Sequence, residues 1–211
     1  MTLDRLLRFA FAGLVLATWS TDASSEVVTH EVTATVTSVH VLSGSTSLFT
    51  VGQPGLLRYD IERSTPGTTV GTTRSYANAI QSLRLTVGAG DALLAPGASS
   101  STAVTNDVWI AQSGAYADDF VVNVPALSAG SLSGAGLHDL HFQLEAIDGE
   151  PFIDMSIPAL LDLESFSLRE LGVQFVDPVS GSPGQLAFRV DGLVVAASPT
   201  SWGRVKGLYA R

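Results

Sequence analysis

From Val28 to Val41 the chain reads V-T-H-E-V-T-A-T-V-T-S-V-H-V, with Val28, His30, Val32, Ala34 and Val36 on one parity and Thr29, Glu31, Thr33, Thr35 and Thr37 on the other. Period-two alternation of β-branched residues predicts a half-buried strand. The scheme recurs. Leu57, Tyr59 and Ile61 alternate with Arg58, Asp60 and Glu62; Leu83, Leu85 and Val87 alternate with Arg84 and Thr86. Leu140, Phe142 and Leu144 alternate with Asp139, His141, Gln143 and Glu145. Shorter runs at Asp107–Ala111, Phe120–Val124, Leu171–Val176 and Leu186–Val190 complete the predicted set. Between them, Ser43–Ser47, Ser64–Thr73, Ala95–Thr105, Ser128–Gly136 and Pro178–Gly184 are Ser-, Thr-, Gly- and Pro-rich and read as loops. Short alternating strands joined by such turns predict an all-β fold, an antiparallel β-sandwich of jelly-roll type. Ala159–Leu171 departs from the scheme: Pro158 can open a helix at its first position, which predicts a short helix over 158–164 with a strand after it.

The first 23 residues follow a different pattern. Arg5 and Arg8 precede an uncharged run from Phe9 to Thr18, and Thr21-Asp22-Ala23 places small residues where a signal peptidase reads. A basic start, an apolar middle and a small-residue end predict a cleaved secretory signal, since ten apolar residues fall far short of the ~20 that cross a bilayer as a helix. The expected organisation is a signal peptide at 1–23, one β-sandwich domain at 24–197 and a flexible tail at 198–211. That tail carries Arg204, Lys206 and Arg211 among scattered apolar residues, a pattern that predicts no stable membrane insertion.

The net charge of -9 and the single lysine, Lys206, exclude nucleic acid as an expected partner, because phosphate neutralisation needs clustered cations. Cysteine is absent, so thiolate metal sites and cysteine nucleophiles are excluded and stability rests on the core.

Five motifs in order resemble the secreted ectodomains of bacterial PEP-CTERM-type exported proteins. They are Thr33–Val39, Gly55-Leu56-Leu57-Arg58-Tyr59-Asp60, Tyr76–Leu83, Ile157-Pro158 followed by Asp162-Leu163-Glu164-Ser165-Phe166, and Gly184-Gln185-Leu186. The sorting tag of that family is absent or degenerate: Ala197–Trp202 has a proline but no following apolar helix. The resemblance implies fold and export and supplies no site residues.

Candidate chemistry is sparse. Phosphate-loop and dinucleotide fingerprints are missing, and Gly130-Ser131-Leu132-Ser133-Gly134 has leucine where a hydrolase nucleophile belongs. His30, His40, His138 and His141 are expected at the surface or at sheet edges; His138 and His141, three apart in a strand, point to opposite faces and cannot share an ion without a bulge. Asn106, Asp107, Asp118 and Asp119 flank two strands, and acidic loops of this kind can supply the six to eight oxygens that calcium takes. Asp148, Glu150 and Asp154 form a second such group. The same composition also suits solvated turns. Trp109, Tyr116 and Trp202 are candidates for a sugar-stacking platform, with core packing the competing role for Trp109. The expectation is therefore an exported, non-enzymatic component of the extracellular matrix or cell surface, with extracellular polysaccharide as the candidate partner. A calcium-supported carbohydrate-binding module is the alternative, and a secreted hydrolase the third reading.

Overall fold

The computed structural model describes residues 26–42, 48–95, 97–110, 115–147 and 151–196. The proposed signal and tail lie outside them. Eleven strands run in chain order: β1 (Val27–Val41), β2 (Pro54–Glu62), β3 (Thr68–Val70), β4 (Thr73–Ala77), β5 (Ile80–Val87), β6 (Gly90–Leu93), β7 (Ser101–Ile110), β8 (Ala115–Ala126), β9 (His138–Ile147), β10 (Leu168–Val176) and β11 (Pro183–Ala196). All are joined in one continuous sheet of order β3-β4-β7-β8-β9-β10-β11-β1-β2-β5-β6, with antiparallel neighbours. The all-β antiparallel expectation holds, and the core between facing layers is made by one sheet curled upon itself.

Chain connectivity makes the curl obligatory. β4 and β5 lie near opposite ends of the strand order, yet only Asn78 and Ala79 separate them in sequence. The three Cα steps from Ala77 to Ile80 reach at most ~11 Å, so the two sheet margins must meet. Asn78 turns the chain in the left-handed region (φ 56°), where asparagine is tolerated, and its amide and side chain bond Ser100 at the start of β7. Rings reach across the enclosed space: Tyr59 of β2 lies 6.3 Å from Phe142 of β9, and His30 of β1 lies 6.4 Å from Phe120 of β8. The alternation seen in sequence points one parity of every long strand into this shared core, including Leu57, Leu85, Phe142, Leu144 and Phe175.

Several boundaries differ from expectation. Ser101–Thr105, read as loop, is the first half of β7, and its Thr102 and Val104 are fully buried. The run Ser-Thr-Ala-Val-Thr has no polar–apolar alternation, so its β-branched residues satisfy a strand that the pattern alone does not announce. Within Ser64–Thr73 lies the edge strand β3, and β11 extends well past Val190. The helix expected over 158–164 is corrected to a single 3-10 turn at Leu163–Ser165, whose cap is Asp162 accepting from the Glu164 amide. Pro158 opens no helix; the Ile157 carbonyl accepts from Arg63 Nε at 2.9 Å, which ties this segment to the end of β2.

The free edge of β6 is covered by the loop that follows β8. Leu93 bridges Ala129, and the Asp91 carboxylate accepts from both the hydroxyl (2.7 Å) and the amide (2.9 Å) of Ser131. These bonds, the hydroxyl first, hold the Asp91 pKa down to about 2, with Arg84 adding to the effect. The linked stability is present above the ordinary aspartate value of 3.8 and is lost as pH falls toward 2. Covering the edge also blocks strand addition there. Gly130 makes the cover possible: its φ is +96°, and a Cβ would sit 2.6 Å from the Asp91 carbonyl oxygen. Gly130→Ala should therefore cost at least ~1–3 kcal/mol, whereas Gly134→Ala, with nothing within 4 Å of its Cβ, should stay within ~0.5 kcal/mol of the parent. Urea-denaturation midpoints of the two variants check this.

Candidate functional site

Where the inward parity builds the core, the outward parity of the central strands builds a groove. Register places Ser101, Asn123, His141, Gly172, Ala187 and Ser38 in one transverse row across β7, β8, β9, β10, β11 and β1. Gly172 and Ala187 sit mid-row, so the outer face is shallowest where its neighbours are longest. The result is a groove of about 800 Å³, floored by Gly172 and Ala187 and flanked by Asn123, His141, Gln174 and Gln185. A Cβ on Gly172 would meet only the Leu186 carbonyl oxygen at 3.8 Å, so a side chain there would enter the groove without displacing the sheet.

The polar side chains on this face are ordered by one another. Gln143 Nε2 donates to Asp119 (3.2 Å), which turns the Gln143 carbonyl oxygen toward His141 Nε2 (3.1 Å); the other ring nitrogen of His141 lies 2.7 Å from Asn123 Oδ1. Asp119 pairs across the sheet with Glu145. Burial raises the Asp119 pKa, Asp118 adds to the rise, and the bonds and charge of Gln143 and His141 oppose it. Burial likewise raises Glu145, followed by repulsion from Asp119 and Glu170. This cluster lies on the outer face beside the groove, which it meets at His141 and Glu170.

Of the calcium candidates, the side chains of Asn106, Asp118 and Asp119 are described. Asp118 and Asp119, adjacent on β8, fall on opposite faces: Asp118 is 1% exposed on the core side and Asp119 faces out. Asp118 and Asn106 do converge, and what lies between them is the Phe152 peptide. Asp118 Oδ2 accepts from the Phe152 amide at 3.1 Å, and Asn106 Nδ2 donates to the Phe152 carbonyl at 3.1 Å. Together they clamp the segment after β9 and bury the Phe152 ring against Phe166. No group of three or more acids and histidines poised for a metal occurs among the described residues. The Asp107 side chain, and Asp148 and Glu150, lie outside the described residues. Asp154 accepts from the Ser156 amide at 2.7 Å, the first of the bonds that lower its pKa.

Trp109 and Tyr116 are paired by backbone register in β7 and β8; their side chains, and Trp202, lie outside what is described. His40 is exposed, and His138 bonds the Gly136 carbonyl at 2.8 Å. His30 overturns the surface expectation. It is fully buried, as its place on the apolar parity of β1 already implied. The serine of the hydrolase-like pentapeptide, Ser131, is the pin that holds Asp91. The groove itself had no signature in sequence, because it depends on which strands become neighbours.

Comparisons with protein families, curated proteins and solved structures find no match for this chain.

The Phe152 clamp yields a direct test. Asp118→Ala strands a buried amide and should cost ~1–3 kcal/mol, with the same loss in excess calcium as in chelator. Melting curves under both conditions read it.

Proposed function

We propose that the chain is an exported, non-enzymatic component of the cell surface or extracellular matrix, of the kind its sequence resembles, and that it holds a polysaccharide in the outer-face groove. The groove carries this reading. Its small-residue floor admits an extended chain, and its walls present the amides Asn123, Gln174 and Gln185 with Ser101 and Glu170 beside them. Amide side chains offer one donor and one acceptor group each, which matches vicinal sugar hydroxyls, and grooves of this size suit small to medium ligands. Asp139 and Glu170, the two acids in the groove lining, favour neutral or amine-bearing sugars over uronates. In the calcium-supported alternative, binding would need the ion, and the same measurement separates the two.

A glycan array, followed by calorimetry on the glycans retained, tests the reading in calcium and in chelator. The expected result is binding in both conditions, weakened at least tenfold by Gly172→Phe with an unchanged melting midpoint. Glycans held equally well by Gly172→Phe, or no glycan held at all, would overturn it. Export has its own test: intact-mass analysis of protein recovered from a Gram-negative host should find a chain that begins at Ser24. Fractionation should place it with the soluble material.

A further inference from the structure

We propose that the buried His30–Tyr59 pair is an acid-sensing latch: a proton delivered to His30 cannot be housed in the closed core, so acidification releases the β1–β2 side of the sheet. Both residues are 0% exposed, and His30 Nδ1 lies 2.8 Å from the Tyr59 hydroxyl. The two rings meet edge-on at 5.0 Å, and Phe120 closes the other side of the imidazole at 6.4 Å. Nε2 is buried with no hydrogen-bond partner among the described residues. One hydrogen bond is all this site supplies. A neutral ring in either tautomer leaves one nitrogen unmatched, a penalty of the ordinary size for a buried polar atom. An imidazolium leaves an N–H and a full charge unmatched, which is far more costly.

The surroundings offer that charge nothing. From β2 the facing group is Tyr59 itself, whose own ionisation burial suppresses. Across the sheet, β11 contributes Val195, and β9 sets Phe142 against the far side of Tyr59. On β8 the inward acid is Asp118, two residues from Phe120, and its Oδ2 is engaged by the Phe152 amide. The acids and bases of β1 and β2 (Glu31, Arg58, Asp60 and Glu62) alternate outward, with Arg58 and Glu31 paired at 3.3 Å. No described residue forms an ion pair with His30.

Burial lowers the His30 pKa from 6.5 to about 4. Because the folded value lies below the unfolded one, stability is intact above pH 6.5 and is lost progressively as pH falls from 6.5 to 4. The His30 contribution alone raises the unfolding equilibrium constant about 70-fold between pH 7.5 and 4.5. Asp91 acts only at lower pH, and the raised values of Asp119 and Glu145 work in the opposite direction.

Urea unfolding of the mature chain at pH 7.5, 6, 5 and 4.5 tests the latch, with His30→Phe and His30→Gln as comparators. The parent should lose stability across this range, and both variants should lack that roughly 70-fold component. An equal pH dependence in parent and variants overturns the proposal. Should neither variant fold, the imidazole NMR of the parent decides. A folded protein with His30 neutral at pH 5 supports the latch; a folded protein with His30 protonated at pH 6 refutes it.

Discussion

The shortness of three connections governs this molecule. The two residues between β4 and β5, the five between β2 and β3 and the seven between β6 and β7 each carry the chain from one margin of the strand order to the other. An open, gently twisted sheet of eleven strands would hold those margins many strand widths apart. The sheet must roll until they touch, and the rolling creates the enclosed space that the inward parity fills. Core, groove and edge cover all follow from that closure. Tyr59 can meet Phe142 only because β2 and β9, four places apart in order, are brought face to face.

The parity of the long strands was plain in sequence because each buries one face against a continuous core, so the buried residues of β2 and β9 fall on alternate positions, with Leu56 and Ile147 the large apolar residues left on the outer face. His30 was legible on the same ground. It occupies an inward position between Val28 and Val32, and pattern should have outweighed the habit of placing histidine at the surface. β7 was obscured for a different reason. Its first inward position is a threonine, Thr102, and the residue before it, Ser101, is also polar, so the start of the strand carries no apolar alternation. In place of the helix expected after Pro158, the segment is tied to the end of β2 by the bond from Arg63 to the Ile157 carbonyl.

The site was far less legible. A groove made by Gly172 beside Ala187 requires that β10 neighbour β11, and no local pattern states this. Asn106 and Asp118, expected with Asp107 and Asp119 as calcium ligands, each bond the Phe152 peptide. A carboxylate near a strand end can neutralise an ion or an orphan amide, and sequence does not distinguish the two demands. Only the position of Phe152, set by the path of the segment after β9, decides it.

The pairing of β1 with β11 sets the order in which this protein can come into being. Thr29 finds its partner in Ala196, and Val41 in Gly184, so the seam at the middle of the sheet joins the beginning of the described chain to its end. A polypeptide delivered amino-terminus first, by ribosome or through a pore, presents β1 long before β11 exists. Until then the β1 edge that will face β11 stays unpaired, the condition in which non-local β-sheets are slow to form and prone to stray association. Completion is deferred to the last strand. The β1–β11 seam therefore closes only once the last described strand is present.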